Sequence, residues 1–426
     1  MSDYFERVER QIVRNVEAGL PRASRRPHLS GYFAIAAAAL IVIVVAGAFV
    51  FARSSSPTTS PAAHHAVVVK FTASAIDSNA RLGPVAIDRS IPILRERLRS
   101  AFPGVQVSRA GNEIVVTAPN ATADARARIL ALVDTRAQLA FYDWEANVIA
   151  PNGKTVAGQL QTQDPTATQI SQGSANGPPG SPGAGSMTLY DAVKLASKQP
   201  ASSSPTNSRV TSQYWLFGKP GSAACQAAAR AASTVPTAGR HCLLSGPDDS
   251  KEAVLSGLPA GVNASDGQIL VVPRGTVVLQ AMSPSFSNPA PIGDPSAEFF
   301  VLKDDVALFA SDITNPQQTT DPNTGSPDVT FGFTSKGKTE FQSVTANVAH
   351  RGALVSAPGQ TFNQHFAVAL DNRLITVPFI DSRQYPNGIN GDNGADIAGS
   401  FTAGSAKDLA TMLRYGPLPI RLTATG

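Results

Sequence analysis

Charge and sulphur are both scarce in this 426-residue chain, and each scarcity removes a class of function. Asp, Glu, Lys and Arg supply 15% of the residues, low for a protein surrounded by water, and the formal net charge is +4. Basic residues beyond the first thirty form no stripe with interleaved aromatics, so nucleic acid is not an expected partner. Of the six histidines, none stands at zinc-binding spacing, and the adjacent His64 and His65 have no third ligand nearby. The two cysteines, Cys225 and Cys242, lack the C-x-x-C spacing of a redox-active pair. No nucleophile elbow occurs. The chain is therefore not expected to be an enzyme, and no metal or cofactor is expected.

Only one long apolar run is present, Gly31–Ala52. About 20 such residues cross the hydrocarbon core as a helix. Six arginines (Arg7, Arg10, Arg14, Arg22, Arg25 and Arg26) precede it, so the positive-inside rule places the N-terminus in the cytoplasm and the bulk of the chain outside. A cleaved signal peptide is the competing reading, with Ala52 a tolerable cleavage position. The run is longer than a signal h-region, however, and thirty residues stand before it. With no second run of this length, one span is expected, and the membrane is the first expected partner. In the tail (1–30), Phe5, Val8, Ile12, Val16 and Leu20 share a helical face that suits a membrane surface or a partner; a solvated tail fits equally.

Residues 53–65 read as a Ser/Thr/Pro tether. Residues 66–146 read as β-α-β-β-α-β from periodicity alone. The elements are a strand at Ala66–Ala73, a helix face of Ile87, Ile91, Leu94 and Leu98, and a hairpin around Ala110-Gly111-Asn112. A second helix capped by Thr122 and a strand at Ala137–Asp143 complete it. That order is the ferredoxin-like pattern. Pro92 belongs either to the first turn of its helix or to a kink. Residues 147–211 read as a low-complexity linker with one isolated helix at Thr188–Lys198. Residues 212–296 carry a predicted hairpin, Gln268–Val272 with Thr276–Ala281 around Pro273-Arg274-Gly275, and end in a Pro-rich connector. Outside the cytoplasm, an even cysteine count at short spacing predicts a Cys225–Cys242 disulfide, stabilising by about 3 kcal/mol in the chain-entropy model.

The last unit, 297–426, ends in a compact local pattern. Phe366–Leu370 and Leu374–Ile380 flank the turn pair Asp371-Asn372, which tolerates positive φ. Ile397–Phe401 is a short strand. Thr402 or Ser405 caps a helix with Ala406, Leu409, Ala410 and Leu413 on one face, and Gly416 ends it. Ile420–Thr425 is a final strand.

Three stretches of this unit carry a family resemblance. Ile397–Leu422 resembles the pattern I-x-G-x-F-T followed by A-x-x-L-A-x-x-L-R-x-G-x-L-P, through Gly399, Phe401, Leu409, Leu413, Arg414, Gly416 and Pro419 among others. Val329–Val348 resembles a strand and helix with G-x-x-x-F-x-x-x-T, placing Phe341. Phe366–Ile380 resembles a hairpin with Asp371 and Pro378 in place. Together they are similar to the first periplasmic domain of SecD, an accessory subunit of the Sec protein-export machine, over roughly 305–422. Ile91–Asn120 resembles the base of that domain. The resemblance implies an α+β fold with a ferredoxin-like base and a SecDF-type head that holds a polypeptide emerging from the translocon. In the family a proton-conducting membrane bundle drives the head. This chain stops at Gly426, so any such coupling is expected from a separate subunit.

Two motifs imitate other chemistry. Gly332–Thr339 matches the phosphate-loop pattern G-x-x-x-x-G-K-T, with Lys338 on phosphates and Thr339 on magnesium. It is rejected, because the segment is expected outside the cell and Phe331 and Phe333 alternate with Gly332 as in a strand. The Asn/Gly-rich 387–396 offers Asp392 and Asp396 to calcium, but EF-hand spacing and its closing Glu are absent, so turns explain it better. The expected function is polypeptide binding beside Sec-dependent export; the alternative is an envelope scaffold or assembly protein reusing the fold.

Overall fold

The computed structural model describes residues 65–75, 81–121, 125–160, 186–202, 211–231, 239–258, 261–281, 292–322, 324–356, 362–398 and 401–425. The expected tail, the apolar span at 31–52, the tether up to residue 64 and the cap at Thr122 lie outside them. Among the described residues no helix is long and apolar enough to cross a membrane.

The base begins with β1 (His65–Ser74), α1 (Pro84–Arg99), β2 (Gln106–Ala110), β3 (Glu113–Ala121) and α2 (Ala125–Asp134). Period-two burial of Val69, Phe71 and Ala73 in β1, and of Ile114, Val116 and Ala118 in β3, faces Leu94 and Leu98 of α1 and Ile129 of α2. Pro84 occupies the start of α1, where a missing N–H costs nothing, and Pro92 lies in the helix interior. The fourth strand of this sheet is not Ala137–Asp143. It is β18 (Arg421–Ala424), antiparallel to β1 in the order β18-β1-β3-β2. The order is ferredoxin-like, but its closing strand arrives at the end of the chain.

The strand expected to close the base is β4 (Leu139–Asp143), and it lies inside a larger sheet. The reason is burial on both faces. Leu139 and Phe141 enter one core while Ala140 and Tyr142 enter another, which an outer strand of a one-sided sheet cannot satisfy. After β4 come α3 (Trp144–Asn147), β5 (Val148–Ile149) and α4 (Val156–Leu160), so the expected linker at 147–211 starts as packed structure. A module follows: α5 (Leu189–Ala196), β6 (Gln213–Gly218), α6 (Ala223–Ala231), β7 (Cys242–Asp248), α7 (Lys251–Ser256) and β8 (Gly267–Val272). Helix α5 is capped by Thr188 but is not isolated; Leu189, Ala192, Val193 and Ala196 are buried in the module's core. Cys225 and Cys242 are bonded, joining α6 to β7.

The chain then passes to β9 (Thr276–Gln280), β10 (Phe299–Lys303), β11 (Leu308–Phe309), β12 (Ile313–Thr320), β13 (Pro327–Phe333), α8 (Ser335–Val355), β14 (Gln364–Leu370), β15 (Arg373–Thr376), β16 (Phe379–Ile380), β17 (Ala395–Ala398) and α9 (Ala403–Tyr415). The large sheet runs β11-β4-β14-β15-β9-β10-β5, with β16 also on β14. Two smaller sheets run β12-β13-β17 and β7-β6-β8. Strands β8 and β9 are therefore not the expected hairpin. They belong to different sheets, because β9 is buried at all five positions and needs cover on both faces. The Asp371-Asn372 hairpin forms as expected, with φ of 48° and 63°. Thr402 and Ser405 share the cap of α9 as a reciprocal box, and Gly416 ends the helix at φ 74°.

Base and head meet where two segments cross, 135–138 outward and 416–420 back. Arg97 of α1 is 1% exposed and donates to the carbonyls of Thr135 (2.5 Å), Arg136 (3.3 Å) and Gly416. Burial pushes its pKa down to about 10, and Asp371 opposes that shift. The Asp371 carboxylate accepts from the N–H groups of Ala137 (3.1 Å) and Gln138 (2.9 Å). Asp371→Ala removes the acceptor of both amides and is expected to cost about 2–4 kcal/mol. Asp371→Asn keeps one oxygen and tolerates the same turn, so about 1 kcal/mol is expected. Urea unfolding monitored by circular dichroism checks the order; equal losses would remove the amide clamp from the account.

Candidate functional site

A concavity lies inside the head, between the β12-β13-β17 sheet and the β14-β15 hairpin. It has a volume of about 500 Å³. Phe141, Phe331, Phe341, Phe366, Ile389 and Ile397 supply apolar walls, and Asn315, Gln317, Thr376 and Asn393 supply polar edges. The walls are held by a ladder of rings. Phe366 meets Phe341 at 5.9 Å, Phe341 stacks on Phe333 at 4.7 Å, Phe333 meets Phe331 at 5.5 Å, and Phe331 meets Phe141 at 6.2 Å. Such contacts add about 0.5–1.5 kcal/mol each beyond burial, which makes the walls stiff.

One side of the cavity is a sheet edge. Strand β17 pairs with β13, from Phe331↔Ala395 to Asp328↔Ala398, and ends its sheet. Residues 392–398 all line the cavity. Gly394 makes that path possible: its φ is +73°, and a Cβ there would stand 2.3 Å from the carbonyl oxygen of Phe331.

A buried polar cluster sits behind the cavity, one residue from Phe366. Glu145 is fully buried and accepts from the N–H of His365 (2.9 Å), and its other oxygen lies 2.7 Å from His365 Nδ1. Arg351 of α8 reaches both oxygens of Asp143 and donates to Gln364 Oε1 at 3.0 Å. Burial pushes the Asp143 carboxyl up, and Arg351 works against that shift. The cluster ties β4, α3, α8 and β14 together. Removing one member of such a pair strands its partner, so it fixes the cavity's back wall.

The residues carried by the family resemblance separate into three places. Phe341 and Pro378 line the cavity. Phe401, Leu409 and Leu413 are buried in the head core. Asp371 and Gly416 hold the crossing, Arg414 donates to the Pro316 carbonyl at 2.8 Å, and Pro419 follows on the return segment, half-buried. Gly399 lies outside the described residues. Ile397 is legible in the sequence as the start of a motif strand, but the edge residues Asn393 and Thr376 escape the sequence reading, because a cavity assembled from three strands and a loop leaves no local pattern.

The phosphate-loop match forms no loop. Strand β13 runs to Phe333, Thr334 caps α8, and the helix starts at Ser335. Lys338 pairs with Asp392 at 2.8 Å, and Thr339 donates to the Ser335 carbonyl at 3.3 Å. The hydrogen bonds from Lys338 and Asn390 hold Asp392 below its ordinary range. Among the described residues no group of three or more His, Cys, Asp and Glu is placed to hold a metal.

Residues 286–420 match the family model described as SecDF, P1 head subdomain. Over 152 residues the chain is 34% identical to the protein translocase subunit SecD of Acetobacter pasteurianus, covering 35% of this chain and 23% of that protein. It is 30% identical over 185 residues to the SecD of Rhodobacter capsulatus (41% and 30%), and 35% over 92 residues to that of Streptomyces coelicolor (22% and 14%). The chain thus spans less than a third of the length of each of these relatives. Two solved structures are similar at 16% identity. One, of a membrane component SecDF that enhances protein export, has a TM-score of 0.37 with 84% of this chain and 98% of that chain covered. The other, SecDF in a super-membrane-facing form, has a TM-score of 0.40 with 87% and 32% covered. The similarity to SecD and SecDF thus rests mainly on residues 286–420, which match the P1 head subdomain.

The glycine of the phosphate-like motif has a packing role instead. A Cβ on Gly337 would stand 2.1 Å from the Asp312 carbonyl oxygen, so α8 could not seat. Gly337→Ala is expected to cost about 1–3 kcal/mol, as overpacking does. Lys338→Ala removes a solvent-exposed pair and should leave stability unchanged. Thermal unfolding of both variants checks this; a phosphate site would instead show magnesium-nucleotide stabilisation lost in Lys338→Ala.

Proposed function

We propose that this chain is a single-pass membrane protein, N-terminus cytoplasmic, whose extracytoplasmic head binds extended polypeptide in the service of Sec-dependent export. The role is binding, without catalysis and without a cofactor. The observation that carries the reading is an apolar cavity opening along the edge strand β17. An added strand would bond to the β17 backbone and drop alternate side chains into the cavity. Recognition of this kind takes affinity from main-chain bonds and tolerates many sequences. Its volume falls in the range of roughly 300–1,000 Å³ typical of ligand sites. The similarity to SecD supplies the context of export, and the exported chain and the translocon are the proposed partners.

A second reading, an envelope assembly scaffold, draws on the module at 186–272, which lies outside the matched 286–420. One experiment separates the two. A photocrosslinking residue is placed in living cells at Asn393, on the cavity edge, and in parallel at Leu354, exposed and away from the cavity. The expected result is capture of many unrelated exported chains from position 393 and few from 354. Capture of one dedicated partner, or of this chain alone, favours the scaffold. Equal capture from both positions would sink the cavity as the binding site.

A further inference from the structure

The module at 186–272 interrupts the large sheet between β5 and β9, and it touches both other parts of the molecule. Against the head it buries a broad apolar face. Trp215, Phe217, Leu270 and Val272 pack with Phe299 and Val301 of β10 in one core, and Met187 and Phe299 exchange both backbone hydrogen bonds, at 3.0 and 2.9 Å. Module and head sheet therefore behave as one packed body. Against the base the contact is ionic. Asp248, the last residue of β7, pairs with Arg421, the first residue of β18. Their side chains are 19% and 33% exposed, so solvent screens the pair only in part.

The placement of that pair gives it leverage. Base and head are joined covalently by two segments, and Arg97 gathers both at one point by bonding to Thr135, Arg136 and Gly416. Beside that point α9 packs on α1, and the Tyr415 hydroxyl donates to Glu96 at 3.4 Å, so the joint is a small contact around one crossing. Arg421, the first residue of β18, lies five residues beyond Gly416. A second pair joins base and head directly: Arg128 of α2 meets Asp408 of α9 at 3.2 Å, two helical turns before Gly416. Both pairs put the arginine on the base and the aspartate on the body opposite. Burial raises the Asp248 carboxyl and Arg421 opposes it; Asp249 is the other charged group acting on it, and it raises the carboxyl too.

We propose that the module is a brace. It is rooted in the head by apolar packing, it holds the base through Asp248–Arg421, and with Arg128–Asp408 it fixes base and head in one arrangement. A charged brace is reversible where an apolar one is not: it releases when either charge is removed or screened, and it re-forms when complementary charges return.

The test measures the base-to-head distance in the full chain. Spin labels are attached to Val85→Cys on the base and Leu354→Cys on the head, positions 58% and 71% exposed. Cys225 and Cys242 are bonded to each other and remain unlabelled. The unaltered brace is expected to give a single narrow distance distribution by pulsed electron paramagnetic resonance. Asp248→Asn should broaden it about twofold or add a second population, and so should 1 M KCl, at which the screening length is about 3 Å. Asp248→Arg should broaden it likewise, and combining it with Arg421→Asp should restore the narrow distribution. That double variant guards against reading a folding defect as a loosened joint. An unchanged distribution in Asp248→Asn, or single-variant broadening that the exchanged pair does not reverse, would overturn the brace.

Discussion

A guanidinium and a carboxylate held at a crossing of two chain segments govern this fold. Arg97 is all but fully buried, and stripping an ion of water costs several kcal/mol. It remains charged because three main-chain carbonyls turn toward it, two from the segment leaving the base and one from the segment returning. Asp371 serves the outgoing segment from the other side by taking two of its amides. Neither ion is satisfied until residues far apart in sequence have met. The base sheet has the same dependence, since β18 pairs with β1 across nearly the whole chain. Base and crossing are therefore late, non-local products, as topologies with large sequence separations are.

The cavity answers a different constraint. A sheet edge is a template for uncontrolled pairing, and proteins usually cover, twist or shorten it. Strand β17 has four residues and carries Asp396. Its neighbours across the gap, on β14 and β15, are buried and well paired. The edge is thus short enough to be safe and walled enough to accept one strand rather than many. The ring ladder from Phe366 to Phe141 and the Asp143, Glu145, Arg351 and His365 cluster keep the walls from collapsing inward. Rigid apolar walls that cannot close on themselves hold a cavity open, whereas a softer core would fill it.

Local chemistry was legible in the sequence; sheet membership was not. The turn at Asp371-Asn372, the cap at Thr402, the stop at Gly416 and the Cys225–Cys242 bond each depend on a few neighbouring residues or on a count, and each is found. The phosphate-like run was correctly read as strand and helix, because Phe331 and Phe333 alternate about Gly332. By contrast, β4 was assigned to the base and β8 with β9 to one hairpin. Both errors have one cause. A strand's own residues say that it is buried on two faces, but not which strands bury it. Leu139-Ala140-Phe141-Tyr142 reads the same at the edge of one sheet and in the middle of another until Phe366–Leu370 is seen beside it. The cavity went unseen for the same reason, being the space left between elements whose pairing only the tertiary fold defines.

The architecture is a set of nested insertions. The head enters the base between α2 and β18, and the module enters the head between β5 and β9. Each insertion is tolerated because its two ends are close: β5 and β9 flank the same strand, β10, about 10 Å apart. Nesting also explains where the charged contacts fall. Covalent continuity binds each layer only to the next, so the innermost layer has no chain link to the outermost. The ion pair of Asp248 with Arg421 spans that gap. An apolar patch in the same place would have to be exposed whenever base and module separated during folding, inviting aggregation. An ion pair can wait in water at little cost and close last, after Arg97 has drawn the crossing segments together. Charge at the outer contact and grease at the inner one is thus the arrangement that lets three nested layers assemble in order.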